Sequence, residues 1–430
     1  MFIRAMLVVL VAAAPTVAQP VQLAETAKAG DVTRVTLELT VAGHLVVTQD
    51  GKKQDIKLDA KAKHAFTEKT LAVEDRMPLR SVRNYSEAIA TALVGGEKDV
   101  HELATDRRLV VSTRTSEGAV CFPPAGPLPR DELDLVAEHF DPHCLAGLLP
   151  GKALNVGDTW AVTNEATHAA CLFDSLTKNA LNGKLASAGG GFAVFHITGE
   201  AEGIENGAKV SLKIDAVGRF HLASSRVVEL TWRQTDDREQ GPASPASKLE
   251  AVAILKREVL AEEPKELSGV NPGEPAAAAR MLRFVDHRGR FRFDYPREWH
   301  ITGQTDDHVI LRLLDKGELI TQATITAWKK AEPGQHASVE DFKKAVSESP
   351  RWVPTRLIEE GELAVDGGRW LYRIAAEGKI EEQPAVQLFH MLAGPKGDQA
   401  AITFALRPEK MKALAGRETS LVKSLAFGKE

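Results

Sequence analysis

The chain has 430 residues, 43% hydrophobic and 26% charged, which excludes a wholly disordered polypeptide and leaves room for two or three domains. Its 54 Lys and Arg stand against 59 Asp and Glu, a formal charge of −5, so no basic surplus exists to displace counterions from nucleic acid. Three Tyr and three Cys exclude an extensive stacking surface and a disulfide-dense miniature fold.

At the amino terminus Met1 to Arg4 is a short basic region, Ala5 to Ala14 is apolar, and Pro15-Thr16-Val17-Ala18 ends in small residues. This order predicts a signal peptide over 1–18, cleaved near Ala18, and a mature chain in the periplasm or the extracellular medium. The apolar run is about half of the roughly 20 residues that span a bilayer, and stable membrane insertion is not expected. Cys121, Cys144 and Cys171 allow at most one internal disulfide and contain no CxxC pair, so they read as structural residues.

From Val32 to Val47, Val35, Leu37, Leu39 and Val41 interleave with Thr and Glu, the period-two pattern of a strand. Asp50-Gly51 predicts a turn into a second alternating segment at Ile56 and Leu58. Further strands are expected at Arg108 to Thr113, Phe192 to Thr198, Lys209 to Ile214, Val227 to Trp232 and Leu249 to Val259. Between them, Pro129 to Phe140 spaces Leu133, Val136 and Phe140 helically, and Pro142 ends the helix. These elements predict an α+β unit, a curved antiparallel sheet with a helical insertion. Leu149-Pro150-Gly151-Lys152 and Val156-Gly157-Asp158-Thr159-Trp160 resemble a phrase of exported bacterial proteins, in which Gly-Asp turns the chain and Trp enters a strand. The overall pattern is also similar to the half-barrels of periplasmic lipoprotein carriers.

Glu262 to Ala279 is rich in Pro and Gly without apolar periodicity, which predicts a linker over 262–279 between a β-rich domain, 19–261, and a second domain, 280–430. Gln234 to Ser247 reads as a long exposed loop between two strands.

In the second region Phe291, Phe293 and Tyr295 alternate with charged residues on one face of a strand that Pro296 terminates. Strands at His308 to Leu313 and Ala323 to Trp328 lead to a helix capped by Ser338, with Asp341 at the reciprocal position. Strands at Leu357 to Ala364, Arg369 to Glu377, Gln383 to Ala393 and Asp398 to Leu406 follow, with Asp366-Gly367-Gly368 as a turn. Pro408 opens a last helix, interrupted near Gly416, that runs to Leu425. This order, with Tyr295-Pro296, Trp299, Phe404 and Phe427, resembles the PsbP-like family and the wider fold of the Mog-type Ran-binding proteins. The resemblance implies an α/β/α sandwich around a central antiparallel sheet, in which the matching aromatic residues pack rather than react. It also implies a binding or assembly module and carries over no catalytic residue.

The nearest approach to a metal set is His139, Asp141, His143 and Cys144 in HFDPHC, although Pro142 breaks the helix that would align the two imidazoles. A metal is therefore not expected, and His139, His143 and Cys144 are the candidate ligands the sequence offers. His101-Glu102 lacks the second His of a zinc-protease helix, no GxSxG elbow occurs, and Gly189-Gly190-Gly191 lacks the Lys-Ser/Thr of a phosphate loop. Glu359-Glu360 and Glu381-Glu382 fall beside strands, where neighbours point to opposite faces. Trp328-Lys329-Lys330 and Arg351-Trp352 read as snorkelling cations beside indoles. No cofactor is expected.

The reading that follows is an exported, non-enzymatic binding or assembly protein of the bacterial envelope, with a protein or small apolar partner and no nucleic acid. The alternatives are a periplasmic carrier of lipid or another apolar ligand through the first domain, and a hydrolase built from dispersed residues.

Overall fold

The computed structural model describes residues 19–49, 52–115, 118–124, 126–137, 140–270, 273 and 277–428. The predicted signal peptide, the Asp50-Gly51 turn and His139 lie outside them.

A short strand β1 (Val21–Leu23) precedes three long ones, β2 (Val32–Gln49), β3 (Lys52–Glu74) and β4 (Met77–Val94). β5 (Glu97–Glu102), β6 (Leu109–Thr115) and β7 (Gly118–Phe122) lead to helix α1 (Arg130–Ala137). Next come β8 (Lys152–Leu154), β9 (Thr159–Ala161), helix α2 (Asn164–Cys171), β10 (Ser175–Asn179) and β11 (Asn182–Gly189). β12 (Phe192–Glu205), β13 (Ala208–His221), β14 (Arg226–Arg238) and β15 (Ala246–Val259) complete the series. Apart from the small β1–β8 pair they form one 13-stranded antiparallel sheet, ordered β7-β6-β4-β3-β2-β15-β14-β13-β12-β11-β9, with β5 on β4 and β10 on β12. β2 is therefore central, hydrogen-bonded on one side to β3 and on the other to β15.

Alternation explains the sheet. In β13 every second residue from Ala208 to Phe220 is buried, while Lys209, Ser211, Lys213 and Asp215 face solvent. The buried set forms the inner face, on which the segment 130–171 lies: Phe140 packs on Trp232 with ring centroids 5.3 Å apart. Trp160 lies over Gly183, where a Cβ would stand 2.0 Å from the indole. Its Nε1 donates to the Leu148 carbonyl at 3.0 Å. Gly157 takes a positive φ of 98° before Trp160 enters β9, as the Gly-Asp phrase predicts.

Two expectations need correction. Half of the 234–247 segment is ladder, because β14 continues to Arg238 and β15 starts at Ala246, with Asp236 and Arg238 paired to Leu249 and Ser247, and the loop is confined to 239–245. Glu381 and Glu382 form a two-residue turn with φ of 49° and 65° that joins two strands paired from Ile380 to Gln383. Glu359 and Glu360 are on a strand, where they pair with Arg373 and Lys343.

The remaining chain makes a three-stranded sheet from β16 (Leu282–Val285), β17 (Phe291–Tyr295) and a terminal pair of residues. It also makes a seven-stranded antiparallel sheet, from β18 (Trp299–Gln304), β19 (His308–Asp315), β20 (Glu318–Trp328), β21 (Trp352–Glu362), β22 (Trp370–Ile380), β23 (Gln383–Ala393) and β24 (Gln399–Leu406). Helix α3 (Val339–Ser347), capped by Ser338 as expected, buries Phe342 and Val346 against Trp352, Tyr372 and Phe389. The last helix is split into α4 (Met411–Leu414) and α5 (Arg417–Ser424) at Ala415 and Gly416, both with positive φ. Tyr295, Trp299 and Phe404 are fully buried.

The two sheet systems touch. Leu128 bridges Leu282, Arg297 donates to the Cys121 carbonyl, and Arg312 donates to the Pro242 carbonyl. One hydrophobic cluster runs through both. The Pro-rich stretch between them is anchored, since Leu267 is buried against Val32 and Val82 on the outer face of the large sheet.

Candidate functional site

Among the described residues the densest group of chemically capable side chains is sealed between the large sheet and the 130–171 segment. Glu68 on β3 and Ser81 and Arg83 on β4 point to the inner face, because Glu68 pairs with Arg83 and Thr70 with Ser81 across the ladder. Asp141 and His143 come from the 3₁₀ turn 142–144, where Asp141 accepts from the His143 backbone N–H at 3.0 Å. Arg83 donates to Glu68 Oε2 and to Asp141 Oδ1, each at 2.6 Å. His143 Nε2 is 2.8 Å from Ser81 Oγ and 3.1 Å from Glu68 Oε2. All five residues are buried.

The electrostatics are those of a saturated ion cluster. Burial opposes ionisation of Glu68, but Arg83 and His143 outweigh it and hold the carboxyl down at about 2. Burial likewise works against the Arg83 cation, and Asp141 and Glu68 overcome it, pushing its pKa up. Tyr85 and Cys121 beside the guanidinium are pushed up by burial and stay protonated.

Ser, His and Asp occur together, but not in the geometry of a catalytic triad. In a working triad the carboxylate accepts from one imidazole nitrogen while the other takes the hydroxyl proton. Here His143 Nδ1 is 3.9 Å from Asp141 Oδ2 and has no hydrogen-bond partner, while Nε2 is shared between Ser81 and Glu68. Ser81 is buried beneath the 130–171 segment and its hydroxyl is already taken up by Glu68 and His143, so it is not presented to a substrate carbonyl. The arrangement can clamp the inserted segment onto the sheet and cannot perform acyl transfer in this conformation.

Of the residues singled out for metal, His143 spends Nε2 in this clamp, and the Cys144 thiol is buried, with its pKa pushed well up by that burial. Among the described residues no group of three or more His, Cys, Asp or Glu is placed to hold a metal ion. The three cysteines are free thiols, all buried. Glu68, Ser81 and Arg83 carried no sequence signal of their own.

A second feature occupies the other half of the inner face. Val35 and Leu37 on β2 and Phe66 and His64 on β3 are buried, but further along the same face burial fades. Leu39 still packs on the core, whereas Val41, Leu45, Ile56, Leu58, Ala60 and Ala62 are half-buried and form an apolar stripe beyond it. The register keeps them together: Val41 faces Ala60, and Leu45 faces Ile56.

No protein-family model matches the sequence, and the search of curated proteins gives no match. Among solved structures the chain is similar to cyanobacterial PsbP (CyanoP) from Synechocystis, at 14% identity and a TM-score of 0.27, covering 37% of this chain and 98% of that one. A protein from Bacteroides thetaiotaomicron matches at 13% identity and a TM-score of 0.26, covering 34% of this chain and 48% of that one. Lipovitellin, described for its lipid–protein interactions, matches at 7% identity and a TM-score of 0.31, covering 59% of this chain and 27% of that one. Among the described residues no helix is long and apolar enough to cross a membrane.

Proposed function

We propose that this is an exported, non-enzymatic binding protein of the envelope whose large sheet carries an apolar ligand on its inner face. The observation that carries the reading is the loss of burial along one continuous face, from Leu37 to Leu45 and from His64 to Ile56, with the side chains remaining apolar. A sheet face that is apolar and half-covered is matched to an apolar occupant, because filling it removes hydrocarbon from water at roughly 25 cal/mol per Å². The sealed ion cluster holds the 130–171 segment over the other half of the face, leaving this half as the binding surface.

In this proposal residues 19–261 are the ligand-binding domain, 262–279 the connector and 280–430 a PsbP-like α/β/α sandwich that associates with a protein partner. Support for the sandwich is the placement of α3 in one hydrophobic cluster and of α4 and α5 in another, with residues of the seven-stranded sheet in both. The test is saturable binding of the lipophilic dye N-phenyl-1-naphthylamine to the purified protein. Leu58→Glu, on the stripe, is expected to weaken binding about tenfold or more, while Lys57→Glu, on the opposite face, leaves it unchanged. Absence of saturable binding to the unsubstituted protein overturns the carrier reading.

A further inference from the structure

We infer that the apolar stripe ends in a head-group site, formed by Asp236, Arg238 and Ser247, that takes the neutral hydrogen-bonding head of an amphiphile and not a carboxylate or phosphate. The inference rests on the carrier reading and deepens it. The ladder fixes the placement: Ser247 lies directly across from Leu45 on one side and from Arg238 on the other, and Asp236 lies across from Leu249. These side chains therefore share the face of the stripe, flush with its last apolar row.

What marks the site is unsatisfied polarity. Ser247 is 1% exposed, yet its Oγ has no hydrogen-bond partner. Asp236 Oδ1 and Arg238 Nε are buried without partners beside it, as is Ser244 Oγ in the connecting loop. The register of β14 and β15 gathers these atoms at the end of an apolar surface, a placement that fits a polar group arriving from outside. Charge selects its class. Arg238 Nη1 already pairs with Glu205 at 3.0 Å, so Asp236 gives the set one negative charge in surplus when ionised, and an anionic head would be repelled. An alcohol, ester or amide head meets Ser247, Asp236 and Arg238 Nε with both donors and acceptors.

The experiment is displacement of bound N-phenyl-1-naphthylamine from the full chain by monooleoylglycerol, by oleate at a pH where it is ionised, and by hexadecane, which has no head. Monooleoylglycerol is expected to compete about tenfold or more tightly than either of the others. Ser247→Ala should erase much of that advantage, and Asp236→Asn should improve oleate, with a cooperative thermal unfolding transition as the control for folding. Dye binding together with equal competition by the three, or a preference for oleate, overturns the head-group site and leaves the carrier reading standing. Failure of the dye to bind removes both. If a variant does not fold, the ranking on the unsubstituted protein still decides.

Discussion

Ser81 Oγ lies 2.8 Å from His143 Nε2, and the pair sits under a sealed surface with Glu68 as a common third member. A nucleophile in this position donates its one proton to Glu68, rests against the His143 ring nitrogen and meets no substrate. The purified protein is accordingly expected to resist labelling by a fluorophosphonate that modifies reactive serines. Labelling lost specifically in Ser81→Ala would contradict the clamp assignment.

Removing the cation from the same cluster should be far more damaging than removing the hydroxyl. Arg83→Ala leaves Glu68 and Asp141 buried without their counter-charge, and loss of one partner of a buried pair costs about 3–5 kcal/mol. Ser81→Ala removes a neutral partner, with a cost of about 1–3 kcal/mol. Urea titration of the two variants checks the order, and a smaller loss for Arg83→Ala would show that the carboxylates are not buried as described.

Two groups make stability fall on acidification, in windows that overlap but begin at different pH. His390 is buried with neither ring nitrogen hydrogen-bonded, and burial pulls it down to about 3 from an ordinary 6.5. Its folded pKa is depressed, so the unfolded chain takes the proton first, and its contribution is complete above about 6.5 and is lost as pH falls toward 3. Glu68 starts from 4.5 and is held at about 2, so its contribution is complete above 4.5 and is lost below it. His390→Leu should flatten the stability profile between pH 6.5 and 4.5, where Glu68 does not yet contribute, and Glu68→Gln should lessen the slope only below 4.5. Profiles with the two windows exchanged would refute the assignment.

Gly183 is a steric requirement and not a conformational one. A Cβ there would stand 2.0 Å from Cε2 of Trp160, inside the ring edge, and the indole is fixed by its bond to Leu148. Gly183→Ala should cost about 1–3 kcal/mol as an overpacking defect. Pairing it with Trp160→Leu should recover part of the loss in thermal unfolding, and a neutral Gly183→Ala would mean that the ring moves aside.

The strands with clean alternation, such as β2, β13 and β15, were legible because one face is apolar over most of its length. β4 was not, for a physical reason: its inner face carries Ser81 and Arg83 for the ion cluster while its outer face buries Val82 under Leu267, so the polarity of the pattern is inverted along part of its length. The loop expected at 234–247 was drawn too long for the same reason, since Asp236 and Arg238 belong to β14 and point inward, and only 239–245 is loop. Of the cluster, HFDPHC exposed Asp141 and His143 to notice, but their partners Arg83 and Glu68 stand 58 and 75 positions away, and only strand pairing unites them. The seven-stranded sheet was read more completely because its turns announce themselves at Gly367-Gly368 and its aromatic residues mark the core.

The pairing of β2 with β15 has a consequence for a chain delivered from its amino terminus. Val32 to Gln49 finds β3 at once, but its other edge stays open until the residues up to Val259 have emerged. During that interval an apolar strand of 18 residues presents unpaired amides to whatever is nearby. The centre of the finished sheet is thus the last seam to close, and it is the point at which a holding factor would protect the emerging chain.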